Sequence, residues 1–341
     1  MAESIWISLL SNLARRIFRQ YVAACAGTIA ATGIFLAGFL PLAAGAATPL
    51  YCVLVPHFKD DYWLSVGYGL EQEAQLQGAR LLFFEAGGYE ARAAQVAQLN
   101  ACLSEGADAI LIGAVTSDHS ELIGAIAQVA PKVPVFGLVN ALHSNALSGR
   151  TGVDWRDMGR VIGDHLSRLH PAGSAARTAI FITGPDEAGW TGPLEAGLRG
   201  ALAESSVSIA QVFVADTGIK PQLEQVETAL ARYPQADYLI GSAPAIEAAI
   251  GLLATRPAAP RPKLVATYVS HTVIRALING SVTAASFDDP VLQARMAIRQ
   301  IASGPLTSQR NVVPEVVLLT PEDDIADAVQ ISPPDYFPAV Q

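Results

Sequence analysis

From residue 47 onward the chain alternates short, mainly apolar runs with longer segments whose apolar residues recur every three or four positions. Leu50 to Val55 is one such run, and Arg80 to Glu85, Ala109 to Ile112 and Val133 to Phe136 follow it. Runs of this length read as strands covered on both faces. Between them, Trp63, Val66, Leu70 and Ala74 share one side of a helix that Gly78 ends, and Val96, Leu99 and Leu103 share one side of a second that stops at Gly106. A third helix spans Glu121 to Val129. The grammar restarts at Asp154, which caps a helix with Met158, Ile162, Leu166 and Leu169 on one face. Strands follow at Thr178 to Ile182, Ile209 to Val214, Tyr238 to Ile240 and Leu264 to Thr267, with helices between them. A helix through Asn279, a strand Val282 to Ala285 and a helix Pro290 to Ala302 close the pattern. Short loops between such units predict parallel, right-handed sheets. Some 295 residues exceed what one core usually serves. The expected class is α/β, with two Rossmann-like lobes.

Residues 1–46 break this grammar. Arg15, Arg16 and Arg19 precede an apolar run from Tyr21 to Leu42, and Ala44-Gly45-Ala46 supplies the small residues that signal peptidase cleaves. This predicts a signal peptide cut near Ala46. An uncleaved anchor is the alternative, since the run reaches the ~20 residues a bilayer needs; Pro41 and the small residues after it favour cleavage. Arg15-Arg16 is compatible with either general or twin-arginine export.

Charge narrows the function classes. The chain carries 22 basic and 31 acidic residues, a net charge of −9. Without residues 1–46 the balance is 19 to 30, or −11. Such a chain does not bind nucleic acid by neutralising phosphates, and no later segment reaches a membrane-spanning length. Cys25 falls in the leader, leaving Cys52 and Cys102, an even count for an oxidising compartment. A disulfide and two buried thiols are both open readings. The six histidines show no metal-ligand spacing, and there is no GxSxG elbow, phosphate loop or glycosidase-like carboxylate pair. An enzyme is not expected, and neither is a metal or cofactor.

Aromatic residues gather where strands end. Pro56-His57-Phe58-Lys59-Asp60-Asp61-Tyr62-Trp63 follows the first strand, Tyr89 follows the second, Trp155 and Tyr268 follow later ones, and Trp190 lies in the loop Thr183 to Trp190. Ligands of open α/β sheets bind at the carboxyl ends of strands. Ring faces attract methylated ammonium groups by ~0.5–2 kcal/mol each. Each residue also has a structural reading: Tyr62 and Trp63 as a hydrophobic staple, Trp155 as hinge packing, Tyr89 and Tyr268 as scaffold, His57 as a turn partner. Asp61 is the expected helix cap, which leaves Asp60 facing inward.

The strand-helix order, Gly106-Ala107-Asp108-Ala109-Ile110-Leu111-Ile112 and Gly241-Ser242-Ala243-Pro244-Ala245-Ile246-Glu247-Ala248-Ala249 resemble the type 1 periplasmic binding proteins. That resemblance implies two lobes joined by three crossings, near Val153, near Tyr268 and at Pro305 to Val312. The lobes would be 47–152 plus about 269–304 and 153–268 plus about 305–328, with 329–341 a mobile tail. The family's sugar-binding pairs are missing at Asn140-Ala141 and Ser242-Ala243. A sugar would leave buried hydroxyls unpaired, at ~1–3 kcal/mol each.

The phrases PHFKDDYW, EAGGY, VGVDW and YVSH resemble the TorT family of periplasmic trimethylamine N-oxide sensors. The resemblance implies a cage of Tyr62, Trp63, Tyr89, Trp155 and Tyr268 with Asp60 as charged partner, and His57 and Trp190 as further cleft residues. It also implies a periplasmic partner, the sensor domain of a TorS-type membrane histidine kinase. Two other classes stay open: a transporter's solute-binding protein for a quaternary amine, sugar or autoinducer, and a two-lobed hydrolase or dehydrogenase.

Overall fold

A computed structural model describes residues 47–255, 261–303 and 311–341. The expected signal peptide, 1–46, lies outside them. No helix among the described residues is long and apolar enough to cross a membrane.

The first lobe is built on β1 (Leu50–Val55), β2 (Arg80–Glu85), β3 (Ala109–Ile112), β4 (Val135–Leu138), β5 (Gly149–Thr151) and β11 (Asn311–Val312), in the order β11-β5-β4-β3-β1-β2. Every pair is parallel. Helices α1 (Asp61–Leu76), α2 (Arg92–Ser104), α3 (Ser120–Val129) and α9 (Pro290–Ala302) belong to this lobe. The apolar runs fill its centre: Val53, Leu54, Ile110, Leu111 and Ile112 have no exposed surface.

The second lobe repeats the plan with β6 (Arg177–Thr183), β7 (Val207–Val214), β8 (Tyr238–Gly241), β9 (Lys263–Ala266), β10 (Val282–Phe287) and β12 (Val317–Leu319), in the order β12-β10-β9-β8-β6-β7. Only β12 runs antiparallel, against β10. Its helices are α4 (Trp155–Leu169), α5 (Thr191–Leu202), α6 (Ile219–Arg232), α7 (Ala243–Thr255) and α8 (His271–Ile278).

Three expectations change. The fourth strand starts two residues after its apolar run does, because Pro134 has no N–H for the ladder and contributes only its carbonyl, to Ile110 N at 2.9 Å. The second crossing is not at Tyr268: β9, α8 and β10 all stay in the second lobe, and the chain returns to the first only at Asp288-Asp289. There Asp289 takes the left-handed region (φ 46°) and caps α9 through Leu292 N at 2.8 Å. The third crossing runs from β11 to β12, over residues 313–316; residues 304–310 of the expected range lie outside the described residues.

The tail does not behave as a free segment. Ser332 N donates to Ser65 Oγ at 3.1 Å, and His271 Nε2 lies 2.8 Å from Ser332 O. Tyr336 packs on Tyr68 and Phe337 on Phe58. Val340 then pairs with Phe83 of β2, and Gln341 N donates to Phe83 O at 3.0 Å. The tail therefore supplies backbone partners to the edge of the first sheet, where an unpaired strand invites aggregation.

Cys52 on β1 and Cys102 on α2 are bridged, with Cα atoms 5.8 Å apart. A bridge closing about 50 residues is worth about 4 kcal/mol in the chain-entropy account.

Candidate functional site

The turn after β1 sets up the site. Asp60 is extended (φ −129°, ψ 159°) and caps α1, its Oδ1 accepting from Trp63 N at 3.2 Å. Its Oδ2 accepts from the Tyr268 hydroxyl at 3.2 Å. The cap is thus Asp60 and not Asp61. Asp61 sits one residue inside the helix and turns to His271 of the second lobe, 2.7 Å from its Nδ1 and 2.8 Å from its backbone N. Burial pushes the Asp60 carboxyl up to about 7, against the lowering effect of its two hydrogen bonds.

Asp60, Tyr62, Trp63, Tyr89 and Asn140 of the first lobe meet Trp155, Trp190, Thr217 and Tyr268 of the second around one cavity. Four rings close a circuit: Tyr62 to Trp155 at 6.0 Å, Trp155 to Trp190 at 5.3 Å, Trp190 to Tyr268 at 6.2 Å and Tyr268 to Tyr62 at 5.4 Å. All are within the range of favourable ring pairs. Trp63 packs edge-on to Tyr62, and Tyr89 to Trp190. Two indoles fit because the strand ends beneath them lack side chains. A Cβ at Gly113 would stand 2.3 Å from Trp63, and one at Gly184 would stand 2.4 Å from Trp190.

The polar atoms are arranged to leave protons unspent. Tyr89 Oη accepts from Trp63 Nε1 and from Asn140 Nδ2, each at 3.3 Å. With its lone pairs occupied, its own O–H has no acceptor among the described residues. Burial holds the phenol well above its ordinary pKa, so it keeps that proton. Thr217 repeats the arrangement. Burial depresses the His57 pKa to about 4, leaving the ring neutral. His57 Nδ1 accepts from Lys59 N at 3.2 Å, so Nε2 carries the hydrogen and donates to Thr217 Oγ1 at 2.8 Å. The Thr217 proton is then also free. Trp155 Nε1 is buried with no hydrogen-bond partner among the described residues.

Asn140 is aimed by an unusual backbone. Val139 before it lies in the left-handed region at φ 63°, costly for a β-branched residue, and Asn140 Nδ2 also donates to Ala114 O at 2.9 Å. Tyr62, by contrast, donates its hydroxyl away from the rings, to Asp288 Oδ2 at 2.6 Å. Beyond the cavity the lobes meet through Lys59 and Asp216 at 3.3 Å and Arg92 and Glu187 at 3.2 Å. These exposed pairs are worth little individually.

The structure brings Asp60, Tyr62, Trp63, Tyr89, Trp155 and Tyr268 to the cavity wall, and Trp190 with them. His57 stands behind it, acting on Thr217. Asn140 and Thr217 were missed as lining residues. Asn140 stands where related sugar binders carry a charged pair, and nothing in the sequence around Thr217 marks it.

A two-lobed α/β fold with an aromatic-lined site at the interlobe cleft is an architecture suited to binding a ligand. The model of the periplasmic binding protein domain matches residues 51–303, and the chain belongs to that family. Within it, the chain is 35% identical over 303 residues to the periplasmic protein TorT of Escherichia coli K12, covering 87% of this chain and 86% of that one. TorT in complex with the TorS sensor domain, solved without ligand and in the presence of TMAO, superposes with TM-scores of 0.77 and 0.76. Both are 34% identical and cover 86% of this chain and 100% of theirs. An ABC transporter solute-binding protein from Bradyrhizobium sp. BTAi1, with bound bis-Tris, is 32% identical with a TM-score of 0.72, covering 87% of this chain and 90% of its own.

Proposed function

We propose that this chain is a periplasmic receptor for trimethylamine N-oxide. It signals through the periplasmic domain of a TorS-type sensor histidine kinase to induce N-oxide respiration. The carrying observation is the pairing of a ring-lined cavity with two hydroxyl protons that have no acceptor among the described residues. Three methyls on a positive nitrogen match ring faces. The oxide oxygen, a strong acceptor with no proton of its own, matches the free O–H groups of Tyr89 and Thr217. Asp60 then faces the positive end.

With the lobes in this arrangement the cavity measures about 10 Å³, room for about one water, so a ligand enters only as the lobes part. The proposed role is binding without turnover. The ligand shifts the lobes only by its differential affinity for their arrangements, and the kinase reads that shift.

Titration calorimetry tests this directly. Trimethylamine N-oxide is expected to bind, trimethylamine and choline at least tenfold more weakly, and ribose not at all. Trp63→Ala and Trp155→Ala each weaken the N-oxide at least tenfold. Tight ribose binding, or N-oxide binding indifferent to both substitutions, overturns the reading.

A pH series tests the orientation. The ionised Asp60 carboxylate is the form that attracts the trimethylammonium end. Affinity is therefore full above pH 7 and declines as pH falls through about 7. Asp60→Asn binds weakly at every pH. An affinity that rises on acidification would put the oxide, and not the methyls, against Asp60.

A further inference from the structure

A second pocket opens at the first crossing, beside the cage and distinct from it. Its volume is about 290 Å³, and it shares two walls with the cage, Asn140 and Trp155. Arg150 on β5 and Arg156 in the first turn of α4 both line it. Neither guanidinium forms an ion pair among the described residues. Arg150 spends one N–H on Leu142 O at 2.5 Å and keeps the rest of its fork. The one carboxylate in the pocket, Asp154, is engaged as the cap of α4, its Oδ1 accepting from Arg156 N at 2.9 Å.

The two guanidiniums come from different lobes and line one concavity. A guanidinium fork matches a carboxylate in two parallel hydrogen bonds, and the start of a 15-residue helix adds partial positive charge at the same place.

We infer that this pocket is a second ligand site, taking a small free carboxylate held between Arg150 of the first lobe and Arg156 of the second. The pocket spans the hinge, so such an anion draws the two lobes together. The coupling to the cage rests on the function proposed above; the anion site itself does not. By reciprocity, the carboxylate then tightens N-oxide binding, and the N-oxide tightens the carboxylate, by the same factor.

The test uses sodium succinate and sodium acetate, with sodium chloride at matched ionic strength as reference. In calorimetry on the mature protein, succinate or acetate is expected to give saturable heat that chloride does not. Arg156→Ala, at an exposed position, and Arg150→Gln each abolish it. Thermal unfolding in chloride shows whether each variant remains folded. In the wild type, saturating carboxylate is expected to raise N-oxide affinity roughly fivefold, within the usual range of coupling; in Arg156→Ala it does not. Heats that match chloride at equal ionic strength overturn the site, as does saturable binding that survives both substitutions. Carboxylate binding with unchanged N-oxide affinity overturns the coupling. N-oxide binding is measured separately in chloride buffer, so failure of the cage and failure of this pocket give different results.

Discussion

Gly197→Ala is expected to lower the melting temperature by at least about 6 °C and to weaken N-oxide binding more than tenfold. α4 and α5 pack more closely than helices bearing side chains can. A Cβ at Gly197 would lie 1.9 Å from Arg156 O, and one at Gly159 would lie 2.0 Å from Leu194 O. Both obstacles are backbone carbonyls, so no rotamer change relieves them and the helices must separate by more than an ångström. Overpacking costs ~1–3 kcal/mol where side chains can yield and more where they cannot. For a chain of this size, each kcal/mol is worth roughly 2 °C. The effect on binding follows from where the helices begin. Trp155 is the first residue of α4 and Trp190 caps α5, so the 5.3 Å between their rings is set by this crossing. Gly200→Ala, three residues on, meets nothing within 4 Å. It is expected to be neutral or to stabilise by up to ~1 kcal/mol through helix propensity. Equal melting temperatures for the two variants would refute the packing argument.

Much of this architecture is legible in sequence because it rests on local pattern. Strands buried on both faces announce themselves as apolar runs, and β1 and β3 fall where Leu50 and Ala109 open such runs; β2, at the sheet edge, is apolar only over its middle residues, Leu81 to Phe84. Strands of two or three residues carry no period, so β5, β11 and β12 are invisible until the sheets assemble. The second crossing fails for a related reason. Tyr268 follows a strand as a hinge residue would, and only pairing of β10 with β9 reveals that the chain has not yet left its lobe. Aromatic residues at strand ends can be read off the chain. What they do with their hydroxyls cannot. Tyr62 and Tyr89 look alike in sequence, yet one gives its proton to Asp288 and the other keeps its proton for the cavity. The exchange of roles between Asp60 and Asp61 depends on a single residue's position at the start of α1, which is finer than any sequence pattern resolves.

Asp288 carries the second large effect, because it joins the cage to the hinge. It directly follows β10 of the second lobe and is 1% exposed. Its Oδ2 accepts from Tyr62 at 2.6 Å and from Gln293 Nε2 at 2.8 Å, both residues of the first lobe. Asp288→Ala leaves the buried Tyr62 hydroxyl short of its acceptor, at ~1–3 kcal/mol, while Gln293 Nε2 keeps the backbone carbonyl of residue 288 at 2.8 Å. It is expected to cost about 2 kcal/mol of stability and to weaken the N-oxide at least tenfold, since the short tie that fixes the Tyr62 wall is lost. Asp288→Asn keeps an oxygen in place and separates charge from shape. Burial pushes the Asp288 carboxyl up to about 6, so the folded protein binds this proton more tightly than the unfolded chain does, near 4. The resulting stabilisation is complete below pH 4 and is lost as pH rises through about 6. Asp60 adds a slope of the same sign, extending to about 7. Asp288→Asn removes its own share only. Urea unfolding at pH 4.5, 6.0 and 7.5 should show wild-type stability declining with pH from these groups. The asparagine variant should decline less steeply and equal or exceed wild type at pH 7.5, with the alanine variant below both throughout. If alanine and asparagine are equally stable and bind the N-oxide equally well, the Tyr62 tie does not hold the cage.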